Sequence, residues 1–174
     1  MSRTSTGTHR SLMADIGRIL RILLDRLALV GHVVAPPVLR IALAVPFFRS
    51  GLTRWDGFLS LSPSTTYLFE EEFKLHIFGE VYGFPAPDLV AYITSIAEIT
   101  LPVLLVLGFA TRFAALALLL MTGVIQLVVP DGWPTFHLPW AAMAIAIIAL
   151  GAGPLSFDRL IFEHIWPRLS ASAR

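Results

Sequence analysis

Apolar residues run along this chain in blocks long enough to cross a bilayer, and polar residues gather mostly in the gaps between them. A membrane helix needs about 20 mostly apolar residues to span roughly 30 Å of hydrocarbon. Three stretches meet that demand directly. Leu89–Phe109 contains a single charged residue, Glu98, while Phe113–Val129 and Leu138–Leu155 contain none. A fourth stretch, Val38–Phe58, holds Pro46, Arg49, Arg54 and Asp56. It is read as a span because Ile41–Phe48 is wholly apolar and an even number of crossings suits the loops; three spans is the alternative.

Residues 12–30 follow another pattern. Leu12, Ile16, Ile19, Leu20, Leu23, Leu24 and Leu27 recur at helical spacing, and Asp15, Arg18, Arg21, Asp25 and Arg26 occupy the other side. Arg21 and Asp25 stand one turn apart, where opposite charges support a helix. A basic amphipathic helix lying on the membrane surface is the expected element. Pro36 and Pro37 are expected to break it, since proline lacks the amide that continues a helix. No small-residue cleavage site follows a compact apolar core, which argues against a cleaved signal peptide.

Composition supports this division. Hydrophobic residues make up 56% of the 174 and charged residues 14%, against about 25% charged in soluble domains. The surface cannot face water everywhere. The net charge of +1 is less informative than its distribution. Arg3, Arg10, Arg18, Arg21 and Arg26 precede the first span and Arg40 stands at its start, Arg112 lies in the tight turn between the second and third, and Arg159, Arg168 and Arg174 follow the last. Asp56 stands at the far end of the first span, and Glu70, Glu71, Glu72, Glu80, Asp88 and Asp131 fall in the other gaps. Positive charge marks the cytoplasmic side of short loops, so both termini are expected in the cytoplasm. Trp55, Trp133 and Trp140 then fall near the outer ends of spans, where amphipathic rings settle.

The expected architecture is an all-α integral membrane protein, a four-helix transmembrane bundle preceded by an amphipathic interfacial helix. Its parts are a cytoplasmic segment (1–37), a membrane domain (38–161, with spans at about 38–58, 89–109, 113–129 and 138–155) and a cytoplasmic tail (162–174). The absence of cysteine removes disulfides, thiolate metal sites and cysteine nucleophiles together. No phosphate-binding glycine loop, GxSxG or HExxH motif is present. The basic residues form a topology signal rather than a patch, so nucleic-acid binding has no support.

Several strings resemble the DoxX family of small four-helix bacterial membrane proteins. They are Phe47-Phe48-Arg49-Ser50-Gly51-Leu52-Thr53, Leu68-Phe69-Glu70-Glu71-Glu72-Phe73-Lys74 and the run Ala97-Glu98-Ile99-Thr100-Leu101-Pro102 through Gly108. Thr111-Arg112-Phe113, Val124-Ile125-Gln126, Trp133-Pro134, His137-Leu138, Trp140-Ala141-Ala142 and Gly153-Pro154-Leu155-Ser156-Phe157-Asp158 continue it. The likeness covers about residues 38–161, and residues 1–37 lie outside it. It departs at His76–Tyr82, where a proline-rich apolar stretch is expected. The resemblance implies a multi-pass protein of the bacterial inner membrane. It also implies a link to thiosulfate–quinone oxidoreductase subunits, to oxidative-stress complexes, or to enzymes that modify metal-binding peptides.

Glu98 is the most informative residue. It sits about ten residues into its span, roughly 15 Å from the end, and a charge at that depth is costly unless paired or wet. Arg49 lies at a similar depth in the first span, so an Arg49–Glu98 pair is expected. The plain reading is a structural pair; the other is a proton or quinone-headgroup site. Thr94 and Glu98 share one helical face, and Thr122 and Gln126 share another, suggesting a polar seam bonded across helices. Trp133, as an interfacial residue beside His137, adds a further candidate for a quinone pocket.

His76 and His137, in the outer loops near Glu70, Glu71 and Glu72, are weak metal candidates without ligand spacing. The three glutamates read first as a solvated face and second as a docking surface for a soluble partner. Three functions follow. One is a membrane subunit of a redox complex that binds lipoquinone at Arg49, Glu98 and Gln126. The second is a non-enzymatic anchor or accessory protein for a soluble partner or metal-peptide system. The third is a small transporter. A homo-oligomer fits any of them, since Gly108, Gly123 and Gly151 permit close helix contact.

Overall fold

The computed structural model describes the backbone of residues 5–161 and the side chains of residues 15–161; the tail at 162–174 lies outside the described residues. Helices dominate, in the order α1 (Ser5–Leu52), α2 (Pro63–Tyr67), α3 (Pro87–Leu107), α4 (Thr111–Val128), α5 (Leu138–Leu150) and α6 (Phe157–Leu160). Two antiparallel hairpins interrupt them, β1 (Trp55–Gly57) with β2 (Ser60–Leu61) and β3 (Lys74–Ile77) with β4 (Glu80–Gly83). Among the described residues four segments are long and apolar enough to cross a membrane: Asp15–Leu52, Pro87–Leu107, Thr111–Val128 and Pro130–Leu150. The protein is an all-α membrane bundle.

The first span departs from expectation at both ends. Helix α1 does not break at Pro36-Pro37 and carries Pro46 as well. A proline removes one amide donor, and in a membrane helix neighbouring groups take up the loss. The double proline instead marks the boundary between two compact units, residues 1–35 and 36–174. At its other end α1 stops at Leu52 rather than reaching Phe58. Thr53 and Arg54 turn back onto the carbonyls of Ser50 and Gly51, and Trp55 begins a strand.

In the unit from residue 36 onward, α3 starts with Pro87 in its first turn, where a missing amide costs nothing. It ends on Gly108 in the left-handed region at φ +71°. Ala110, also left-handed, completes the reversal into α4. The core joins Leu43, Ala44 and Phe47 of α1, Leu105 of α3, Ala114, Ala115 and Leu118 of α4, and Ala144 and Ile147 of α5. Alanines let the backbones approach closely, which drives packing where lipid competes for every apolar contact.

One such approach sets up the candidate site. A Cβ on Gly51 would lie 2.9 Å from the backbone carbon of Glu98 and 2.9 Å from Ile99 Cγ1, so α1 rests directly on the α3 turn that carries Glu98. Gly51→Ala should therefore destabilise the bundle by about 1–3 kcal/mol, the usual range for forcing extra volume into a packed interior. Unfolding in detergent micelles reads this directly. An unchanged midpoint would mean that the two helices are free to separate at this point.

Candidate functional site

Glu98 is 3% exposed, as its place in the middle of α3 predicts, and its partner is Arg54. Arg54 Nε donates to Glu98 Oε2 at 3.2 Å, and Arg54 Nη2 lies 3.4 Å from Ser50 Oγ. Arg49, the expected partner, is exposed on α1 and takes no part in the pair. The reason is the early end of the helix. Once α1 stops at Leu52, the following residues fold back over its end, and Arg54 reaches inward where a continued helix would have carried it away.

Two phenyl rings complete the surroundings of the guanidinium. Arg54 Cζ lies 5.6 Å from the ring centre of Phe69 and 5.7 Å from that of Phe73, within cation–π range. Both rings come from one π-helical turn, Leu68–Glu72, and its immediate successor. That turn buries Phe69 and leaves Glu70, Glu71 and Glu72 exposed on its other side. Lys74 Nζ donates to the Glu70 carbonyl.

Beside the ion pair opens a cavity of about 500 Å³. Its polar lining is Ser50, Arg54, Thr94 and Glu98; its apolar lining includes Phe47, Phe69, Phe73, Phe84, Val124 and Trp140. The walls thus come from α1, α3, α4, α5 and the segment between α1 and α3. Drug-sized ligands occupy cavities of roughly this size, with apolar walls and a few polar groups to fix orientation.

The other sequence candidates divide. Thr94 lines the cavity as its shared face with Glu98 implies. Thr122 is buried, but its hydroxyl donates at 2.7 Å to Leu118 of its own helix and not across helices. Ser95 does the same to Ala91 at 2.7 Å, so the expected polar seam closes largely within single helices. Gln126 makes a different pair. Its Nε2 donates to the Pro130 carbonyl at 2.9 Å, which turns Oε1 toward His137 Nδ1 at 2.6 Å. That arrangement requires His137 Nδ1 to be the donor.

His137 is 3% exposed, at the end of a π-helical turn (Trp133–His137), and its ring lies 5.5 Å from that of Trp140. Gly132 is needed there, because a Cβ would meet the imidazole at 2.5 Å. The pair therefore braces the aromatic wall of the cavity from behind. Trp133 is half-exposed and outside the cavity lining. His76 is exposed, with Nδ1 3.1 Å from the Leu127 carbonyl. Neither histidine belongs to a group of three His, Cys, Asp or Glu side chains able to hold a metal, and no such group exists among the described residues.

Arg54, Phe69, Phe73, Phe84 and Trp140 are the site residues that sequence reasoning missed. Phe69 and Phe73 carried a signal in their one-turn spacing, obscured by the three glutamates between them. Gly51 offered another, as a small residue where two helices must cross.

Comparison with known proteins agrees with this architecture. The model of the DoxX family matches residues 35–131. A protein of Haemophilus influenzae, described as an uncharacterized protein, is 29% identical over 163 residues, covering 81% of this chain and 91% of its own length. No solved structure matches the chain significantly.

Proposed function

The chain belongs to the DoxX family, and we propose that it is the lipid-embedded subunit of a quinone-linked redox complex, holding a lipoquinone in the cavity beside Arg54 and Glu98. The observation that carries this reading is the polarity of the cavity. An ion pair and the Thr94 hydroxyl stand among walls that are otherwise mostly aromatic and aliphatic. A lipoquinone has the matching shape, a polar ring on a long apolar tail, and when bound it supplies two-electron, two-proton chemistry. Arg54 and Thr94 would hold the ring oxygens by donating hydrogen bonds. Glu98, with one oxygen taken by Arg54, would exchange a proton at the other. Aromatic side chains would exclude water from the ring, and a soluble partner would supply the electrons.

The same reading places the protein in the inner membrane with both termini in the cytoplasm. Arg40, Arg112 and Arg159 belong to one end of the four spans, and Asp56, Glu70, Glu71, Glu72, Glu80, Asp88 and Asp131 to the other, as the bias of positive charge toward the cytoplasm requires.

Trp140 in the cavity wall is a built-in reporter, because a quinone beside an indole quenches its fluorescence. Titrating the reconstituted protein with a short-chain ubiquinone analogue should give saturable quenching. Thr94→Phe, which fills the cavity while keeping both Arg54 and Glu98, should weaken binding on the order of tenfold or more, the equivalent of about 1.4 kcal/mol. Equal affinity in the wild type and Thr94→Phe would place the quinone elsewhere and overturn the assignment.

A further inference from the structure

Both hairpins carry a phenylalanine at the tip, and neither ring packs on the protein. Phe58, between β1 and β2, is 96% exposed, and Phe78, between β3 and β4, is 104% exposed. The local backbone makes this unusual. Ile77 pairs with Glu80 across a two-residue turn in which Phe78 and Gly79 both have positive φ, +51° and +88°. Such turns normally carry Asn-Gly or Asp-Gly, and a bulky side chain in the left-handed region is an outlier. In the first hairpin Gly57 pairs with Ser60 around Phe58-Leu59, and Leu59 is left-handed as well at φ +55°. Each turn thus accepts backbone strain to display a large apolar side chain where a small polar one fits better.

We infer that the two tips are seated in the lipid interface, so that Phe58 and Phe78 anchor the connecting segments to the bilayer surface at the hairpin end of the bundle. Lipid is the occupant because the β3–β4 tip continues a surface that lipid already covers. Leu116, Leu120 and Leu127 are exposed along one side of α4, a membrane span. That row ends where His76 Nδ1 meets the Leu127 carbonyl at 3.1 Å, which fixes β3 to the lipid-facing side of the last turn of α4. Phe78 follows His76 by two residues. Tyr82, also exposed, lies opposite Leu75 in the same hairpin, and amphipathic rings of this kind concentrate at membrane interfaces. Phe84 and Pro85, just beyond β4, line the cavity, so an anchored hairpin also holds one wall of the site in place. The inference concerns the hairpins and stands whether or not the cavity binds quinone.

The absence of cysteine makes the test direct, because Phe58→Cys and Phe78→Cys each introduce the sole thiol of the chain. Each variant is labelled with a nitroxide and reconstituted into vesicles of phosphatidylethanolamine and phosphatidylglycerol. Collision rates are then measured with oxygen, which concentrates in lipid, and with a neutral nickel chelate, which stays in water. Leu120→Cys serves as the lipid reference and Glu71→Cys, exposed on the turn Leu68–Glu72, as the aqueous one. Both tips should give oxygen-to-nickel ratios severalfold above that of Glu71→Cys. Ratios equal to Glu71→Cys would put the tips in solution and overturn the inference. Shielding from both reagents would overturn it too, by showing that a second copy or another protein covers them. Neither ring packs on the protein, so the substitutions leave the fold intact.

Discussion

Arg54→Met should destabilise the bundle by about 3–5 kcal/mol, the cost of leaving one member of a buried ion pair without its partner. Glu98 is 3% exposed, sits in the middle of a membrane span and has Arg54 as its ion-pair partner, so removing the guanidinium leaves its carboxylate without a counter-charge. Methionine keeps an unbranched, flexible stem while removing the charged guanidinium that faces Phe69 and Phe73, so the loss is chiefly that of the charge. Glu98→Met alone should be costly for the same reason, now with Arg54 stranded beside two phenyl rings. The double variant should recover most of either loss, because replacing a buried pair by apolar groups of similar volume is often neutral or stabilising. A double-variant cycle on unfolding in detergent measures the coupling. Additive losses would show that the 3.2 Å contact carries no net interaction. Quinone binding should separate from stability in this series. If the proposed quinone assignment holds, the double variant would fold but lose the charged pair beside the cavity, and with it the saturable quenching of Trp140.

The spans were legible because hydrocarbon thickness sets a length that few sequences reach by chance. Leu89–Phe109 and Phe113–Val129 lie within two residues of the helices α3 and α4 at every boundary. The first span was harder because its cues are local and its outcome is not. Pro36 and Pro37 read as breakers, yet an apolar setting makes unpaired backbone so costly that the helix continues through them. The far end misled for the opposite reason. Ile41–Phe48 is apolar enough to suggest a span to Phe58, but the chain turns at Leu52 to deliver Arg54 to Glu98.

A buried carboxylate announces itself in sequence, since charge inside a membrane demands a reason. Its partner does not, because any arginine of suitable depth satisfies the pattern and only the turn geometry chooses among them. Gln126 and His137 were each visible as isolated polar residues. Their pairing depends on the π-helical turn that carries His137 inward, and no periodicity in the sequence encodes that turn. The exposed rings at Phe58 and Phe78 were invisible for a related reason, since hydrophobicity alone reports burial and not display.

Gly108→Ala should be among the most damaging single methyl groups that can be added to this chain, while the same change at Gly123 should stabilise it. Gly108 ends α3 at φ +71°, and a non-glycine residue there carries about 1–3 kcal/mol of backbone strain. Its Cβ would collide with Arg40 Nη1 and come within 2.6 Å of Ser156 Cβ. Arg40 cannot give way, because it is 3% exposed and its Nη2 donates to the Leu155 carbonyl at 2.6 Å. Ser156 is fixed too, by the segment that follows it. Asp158 accepts from the amides of Ala110 and Thr111 at 2.7 and 2.9 Å, capping α4, while its own amide donates to the Gly108 carbonyl at 2.8 Å. Overpacking of so constrained a site adds about 1–3 kcal/mol. Gly123 supplies the contrast, being interior to α4 with nothing within 4 Å of a Cβ. Alanine there should gain about 0.5–1 kcal/mol, since glycine loses more backbone freedom on folding. Unfolding midpoints in detergent should therefore move in opposite directions for the two variants. Equal, small shifts would mean that the α3–α4 turn yields independently, and that Arg40, Asp158 and Ser156 do not lock this end of the bundle.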